Sequence, residues 1–135
     1  MSQTKTNKPL PKVFILEDDP ERISYFKELL GHVADLTIIS SCVEVDKFQP
    51  PYDLIFLDHD LGGRQMVDHE DCGLTFVKQA DSFTPNDLII VHSYNPVGAK
   101  QMLAELPVGA MYCPFRGVAF NNAVEMILKV WNNKK

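Results

Sequence analysis

Four-residue aliphatic runs recur along this sequence, each followed by a stretch of helical period, and few architectures bury both kinds of segment at once. Val13-Phe14-Ile15-Leu16 precedes Pro20 to Leu30, in which Ile23, Phe26 and Leu30 fall on one helical face. Asp19 can cap that helix, with Pro20 in its first turn. Leu36 to Ser40 reads as a second strand and Val43 to Phe48 as a short helix ended by Pro50-Pro51. Leu54-Ile55-Phe56-Leu57 is continuously hydrophobic, as a strand covered on both faces must be. A long polar loop, Asp58 to Asp71 with Gly62-Gly63 inside it, separates this strand from a helix over Gly73 to Asp81 with Leu74, Val77 and Ala80 on its apolar stripe. Leu88 to Val91 is the fourth strand and Pro96 to Leu106 the next helix, with Ala99, Met102, Leu103 and Leu106 facing inward. Val108 to Tyr112 is a weaker fifth strand because of Gly109, and Val118 to Trp131 is the last helix, carrying Phe120, Val124, Ile127, Leu128 and Trp131 at helical spacing. Five strands alternating with five helices predict an α/β fold, a single doubly wound five-stranded parallel sheet, because parallel neighbours need right-handed helical crossovers.

With 135 residues, a net charge of −5 and 45% hydrophobic residues, the chain has the size and balance of one globular domain, expected over residues 12–132 behind a flexible tail of residues 1–11. Met1 to Lys8 has no apolar stretch of the kind a secretion signal carries, and the aliphatic runs are far too short to span a bilayer, so the expected location is cytoplasmic, away from membranes. The acidic balance and the lack of a Lys/Arg stripe argue against direct DNA binding. Cys42, Cys72 and Cys113 are odd in number and form no CxxC pair, which argues against a disulfide framework or a zinc knuckle.

In a parallel sheet of this kind ligands bind at the carboxyl ends of the strands, near the switch in strand order. The first strand ends in Glu17-Asp18-Asp19, the third in Asp58-His59-Asp60 and the fourth in His92-Ser93-Tyr94-Asn95, so all three endings converge on one edge. Crowded carboxylates resist ionising together, and a divalent cation relieves them; hard oxygen ligands suit Mg2+ or Mn2+, which leave a face open for a phosphate oxygen. Metal plus a small phosphorylated ligand is the leading chemical reading. Asp19 alone reads as a helix cap. His92 is either a half-buried histidine bonded to the main chain or a ligand contact with its proton near neutrality, and Ser93 and Asn95 are placed to bond phosphate oxygens or to orient it. Strand alternation turns His59 away from Asp58. His69, beside Glu70 and Asp71, reads as solvated or as part of a lid, and Cys113 as a buried apolar side chain. Gly62-Gly63 and Gly98 read as backbone accommodations, since no phosphate-cradling glycine pattern is present.

From Lys12 to Trp131 these residues resemble the receiver domain of bacterial response regulators. The resemblance implies a flavodoxin-like sheet of strand order 2-1-3-4-5, with Glu17 and Asp18 as the metal-binding acidic pair, Asp58 as the phosphoacceptor, and Asp60 lending a backbone carbonyl to the metal. Two positions depart from that pattern. His92 falls where the family has a hydroxyl residue, leaving Ser93 as the nearest hydroxyl, and Cys113-Pro114 falls where it has a lysine before a proline, with Arg116 the nearest cation in that loop. Leu57-Asp58-His59-Asp60-Leu61-Gly62 and His92-Ser93-Tyr94-Asn95-Pro96-Val97-Gly98 look like the atypical receiver subfamily proposed to process cyclic phosphates. That likeness implies a phosphoesterase-like reaction on a cyclic phosphate, with Asp58, His92, Ser93 and Asn95 as catalytic residues and Mg2+ or Mn2+ held by Glu17, Asp18, Asp58 and Asp60. Two alternatives stand beside it. In one the chain, with no output domain, is a single-domain regulator phosphorylated on Asp58 by a histidine kinase and read by another signalling protein; in the other it is a pseudo-receiver that binds a partner without phosphate chemistry.

Overall fold

A computed structural model describes residues 10–60, 73–80, 82–115 and 117–132 of the protein. Its elements alternate as the hydrophobic pattern predicts: β1 (Lys12–Leu16), α1 (Pro20–Leu30), β2 (Asp35–Ile39), a 3-10 segment (Cys42–Lys47), β3 (Leu54–Leu57), α2 (Gly73–Ala80), β4 (Ile89–Val91), α3 (Pro96–Glu105), β5 (Met111–Tyr112) and α4 (Val118–Asn132). The strands form one five-stranded sheet in the order β2-β1-β3-β4-β5, every pairing parallel. The expected sheet and strand order are both present. Among the described residues no helix is long and apolar enough to cross a membrane.

Side-chain alternation divides the core into two layers. Phe14 and Leu16, Ile55 and Leu57, and Ile89 and Val91 pack on one face against Cys42, Phe76, Val77, Ala99 and Met102, contributed by the 3-10 segment, α2 and α3. Val13, Ile15, Leu54, Phe56 and Ile90 pack on the other against Phe26 and Leu30 of α1 and Phe120 and Val124 of α4. Rings dominate both layers: Phe14 meets Phe48 edge-on at 4.7 Å and stacks on Phe76 at 5.5 Å, while Phe26 lies 4.9 Å from Phe56.

Several boundaries differ from the sequence expectation, most by a residue, as in the second strand, which is Asp35–Ile39 rather than Leu36 to Ser40; three differences have a local cause. The fifth strand is only Met111–Tyr112 rather than Val108 to Tyr112, because Gly109 takes a positive φ of 112°, Ala110 N–H closes a turn onto the Pro107 carbonyl, and Val108 stands in solvent. The short helix expected over Val43 to Phe48 is a 3-10 segment over Cys42–Lys47, opened by the Ser41 side chain, which accepts from Val43 N–H. Leu88 lies just outside β4, 45% exposed, although its carbonyl still accepts from Ile55 N–H. Most of the proposed tail, together with Gly62, Gly63, His69, Glu70, Asp71, Cys72 and Arg116, lies outside the described residues. Pro11 is buried, and its carbonyl accepts from Asp35 N–H.

Candidate functional site

The parallel ladder runs one residue beyond each central strand, and that extra residue is the chemical one. Glu17 N–H donates to Ile39 O, Asp58 N–H to Leu16 O at 3.1 Å, and His92 N–H to Leu57 O at 2.9 Å. Each of these positions continues the row of its strand that faces α1 and α4, so Glu17 follows Val13 and Ile15, Asp58 follows Leu54 and Phe56, and His92 follows Ile90. Their side chains therefore meet: one donor atom from each of Glu17, Asp58 and His92 lies within 4.8 Å of the others. All three are buried.

Four groups share the resulting charge. His92 Nε2 and Glu17 Oε1 are hydrogen-bonded at 2.8 Å. Glu17 Oε2 accepts from the N–H groups of Asp18 and Asp19 at 3.1 and 3.0 Å and pairs with Arg22 Nη2 at 3.0 Å. The same Arg22 nitrogen lies 3.3 Å from Asp58 Oδ2, and Asp58 Oδ1 accepts from His59 N–H at 2.9 Å. Burial by itself would raise the Glu17 carboxyl, but the hydrogen bond and charge of His92, the Asp19 N–H and Arg22 bring it below its usual range. Asp58 goes the other way. Burial pushes its carboxyl up to about 6, and the charge of Glu17 adds to that, while His92 and Arg22 offset only part of it. Two neighbouring acids are thus driven apart in acidity by unequal shares of the same cationic partners.

His92 is set in an aromatic box, with the Phe26, Phe56 and Phe115 rings centred 5.3, 6.1 and 6.1 Å from its own, and its Nδ1 is buried with no hydrogen-bond partner. Arg22 was not singled out in the sequence. It occupies the first turn of α1, behind the Asp19 cap, whose side chain accepts from Glu21 N–H at 2.8 Å. A cation there opposes the helix dipole, and that local conflict is the sequence signal that could have marked it.

His59, Asp60 and Asn95 gather on the opposite side of the strand tips. His59 packs toward α3, where a Cβ at Gly98 would come within 2.5 Å of its ring, and its Nδ1 bonds Asp60 Oδ1 at 2.8 Å. The Asp60 side chain also accepts from Asn95 Nδ2 at 3.1 Å, so its carboxylate faces His59 and Asn95 rather than the Glu17, Asp58 and His92 cluster. Asn95 caps α3, its Oδ1 accepting from Gly98 N–H at 3.0 Å, and Ser93 Oγ accepts from Asn95 N–H at 2.9 Å. Asp18 is half-buried beside Glu17. Gly73 opens α2 directly under the site, its N–H bonded to the His59 carbonyl at 2.8 Å, where a Cβ would collide with the Asp58 carbonyl. Cys113 is buried and burial pushes its thiol up, as suits a packing residue.

A parallel 2-1-3-4-5 sheet with an acidic cluster at the tips of its central strands defines a receiver-type domain, and solved structures agree on the fold. A two-component response regulator from Clostridium difficile is 21% identical, with a TM-score of 0.64 over 91% of this chain and 99% of that one. The response regulator TrrA of Thermotoga maritima, solved in complex with Mg2+-BeF, is 17% identical with a TM-score of 0.61 over 87% and 99% of the two chains. The Mn2+-bound form of response regulator Rcp1 is 15% identical with a TM-score of 0.56 over 93% and 96%. No curated protein matches the chain in sequence. The model of the cyclic-phosphate processing receiver domain matches residues 15–107, more than half of the sequence, and the chain belongs to that family.

Proposed function

We propose that this receiver domain opens a cyclic phosphodiester to a monoester, with Asp58 and His92 as its catalytic pair. The observation that carries the reading is the meeting of Glu17, Asp58 and His92 within 4.8 Å: an imidazole stands beside two carboxylates at the ligand-binding edge of the sheet. The family match supports the substrate class.

Ring opening by water forms one P–O bond and breaks another, and the departing ring oxygen leaves with a proton. Asp58 serves as the base toward the attacking water, or attacks phosphorus itself and expels the ring oxygen, water then cleaving the acyl phosphate to release the monoester. Without a divalent cation the Asp58 carboxyl, held near 6 by burial, is largely ionised at neutral pH. His92 holds the second proton, with Glu17 Oε1 fixing its Nε2 in place. Arg22 balances the negative charge of both acids. Ser93, Asn95, Asp60 and His59 act as a brace, holding the corner between β4 and α3 so that His92 and Asp58 keep their places.

The two carboxylates are fitting hard donors for Mg2+ or Mn2+. Glu17 and Asp58 would hold the cation, flanked by Asp18, while His92 keeps its proton. When bound it would neutralise the charge of the phosphate oxygens. Solved structures of this fold with Mg2+-BeF or Mn2+ bound support a divalent cation as the ligand class.

Phosphorus NMR of the protein with Mg2+ and a 2′,3′-cyclic nucleotide, run beside Asp58→Ala, tests the reading. The parent should convert the cyclic signal to a monoester and the variant should not. Conversion by neither, or equally by both, would reject it. His92→Ala should also lose turnover, and retained turnover would take the proton role away from His92.

A further inference from the structure

Arg22 Nη2 lies 3.0 Å from Glu17 Oε2 and 3.3 Å from Asp58 Oδ2, so one nitrogen spans both carboxylates. Those carboxylates supply two of the three donor groups that meet within 4.8 Å. A guanidinium and a divalent cation therefore call on the same two side chains, and two cations held that close repel each other strongly in a buried setting. Arg22 also has neighbours besides those carboxylates that could keep it in place if its ion pairs open. Its guanidinium carbon lies 5.4 Å from the Tyr94 ring centroid and 5.9 Å from that of Phe115, within reach of both ring faces. It lines a cleft of about 570 Å³ together with Tyr25, Tyr94 and Phe115. Its Nε is buried with no hydrogen-bond partner, so one edge of the guanidinium fork is still short of an acceptor.

We propose that Arg22 is an exchangeable counter-ion of this site. It neutralises Glu17 and Asp58 until a divalent cation displaces it, and then, kept in the cleft by Tyr94 and Phe115, it presents its free Nε edge to an oxygen of the phosphate ligand. A planar fork of N–H donors matches a phosphate edge where an ammonium group does not. The inference rests on the cyclic-phosphate reading for its ligand alone. Its distinguishing consequence is a pair of opposite effects: removing the charge strengthens cation binding and weakens phosphate binding. A merely structural arginine would weaken both, and an arginine that anchors phosphate without touching the cation site would weaken only the second.

The test measures Mn2+ affinity by electron paramagnetic resonance, and inorganic phosphate affinity by calorimetry at saturating Mg2+. Arg22→Gln should bind Mn2+ about tenfold tighter and phosphate about tenfold more weakly than the parent. Arg22→Lys keeps the charge, which protects the fold, but loses the fork; it should bind Mn2+ within about threefold of the parent and phosphate about tenfold more weakly. Folding of Arg22→Gln that depends on Mn2+ would support the same exchange. Unchanged or weaker Mn2+ binding in Arg22→Gln overturns the proposal, as does unchanged phosphate binding in either variant. Turnover of a cyclic nucleotide with Mn2+ affinity unmoved in Arg22→Gln defeats this inference and leaves the function standing. Opposite affinity changes without turnover defeat the function and leave Arg22 its role.

Discussion

Asp58 carries a carboxyl that folding buries at a cost to its ionised form. Its carboxyl rises from an ordinary 3.8 to about 6 on folding, chiefly through burial. The folded chain therefore binds more protons than the unfolded one between those values. This contribution to stability is present below about pH 4, declines as pH rises toward 6, and is gone above it. In buffer without divalent cations, Asp58→Asn should remove that slope and exceed the parent in stability at neutral pH by about 1–3 kcal/mol, with the gap closing below about pH 4. Denaturant unfolding over that pH range measures it. A variant less stable than the parent at neutral pH would show that the bonds to His59 N–H and Arg22 outweigh the cost of burial. At this scale Glu17, Asp58 and His92 were legible from sequence, because each directly follows an apolar run and a strand end must face the ligand edge. Arg22 was not, since its partners lie 5 and 36 positions away and no local pattern joins them.

Among the elements, the β4 to α3 corner shows how much polar sequence is spent on placing a strand tip. Asn95 works with both ends of its amide, capping α3 through Oδ1 and holding the Asp60 carboxylate through Nδ2. Asn95→Ala should cost about 2–4 kcal/mol, a lost cap plus a buried carboxylate short of a donor. Asn95→Ser keeps the cap and should cost about half as much. Thermal or denaturant unfolding compares the two; equal losses would mean that the cap contributes nothing, and an unchanged Asn95→Ser would mean that the Asp60 contact contributes nothing. The His-Ser-Tyr-Asn run reads as chemistry in the sequence, and its spacing also satisfies a cap: Ser93 and Asn95 close successive turns before Pro96 and Val97 continue as helix. A cap and a ligand contact ask for the same short polar side chains, so the residue types alone do not separate them. The shortened fifth strand has a similar origin. Its apolar letters suit a strand, but Gly109 and the Pro107 turn spend the backbone elsewhere.

For the molecule as a whole, the sheet is the shared wall of two aromatic layers, with Phe14 in one and Phe26 in the other. Strands covered on both faces tie those layers together, so unfolding should be a single transition. Phe14→Leu and Phe26→Leu should each shift that transition by about 1–2 kcal/mol, with near- and far-ultraviolet circular dichroism moving together. Two separable transitions in either variant would show layers that fold independently. The order of elements, the parallel sheet and the edge where acids gather followed from the sequence itself, because side-chain period and crossover handedness are local rules that constrain topology. Tertiary structure alone decided which polar groups share that edge. Alternation past the strand ends sends Glu17, Asp58 and His92 to the α1 side and His59 to the α3 side, and packing then brings Arg22 onto the first group and Asp60 with Asn95 onto the second. Hydrogen bonds and charge pairs act over a few ångströms in space, whatever the separation along the chain, and so become definite only when the fold has closed.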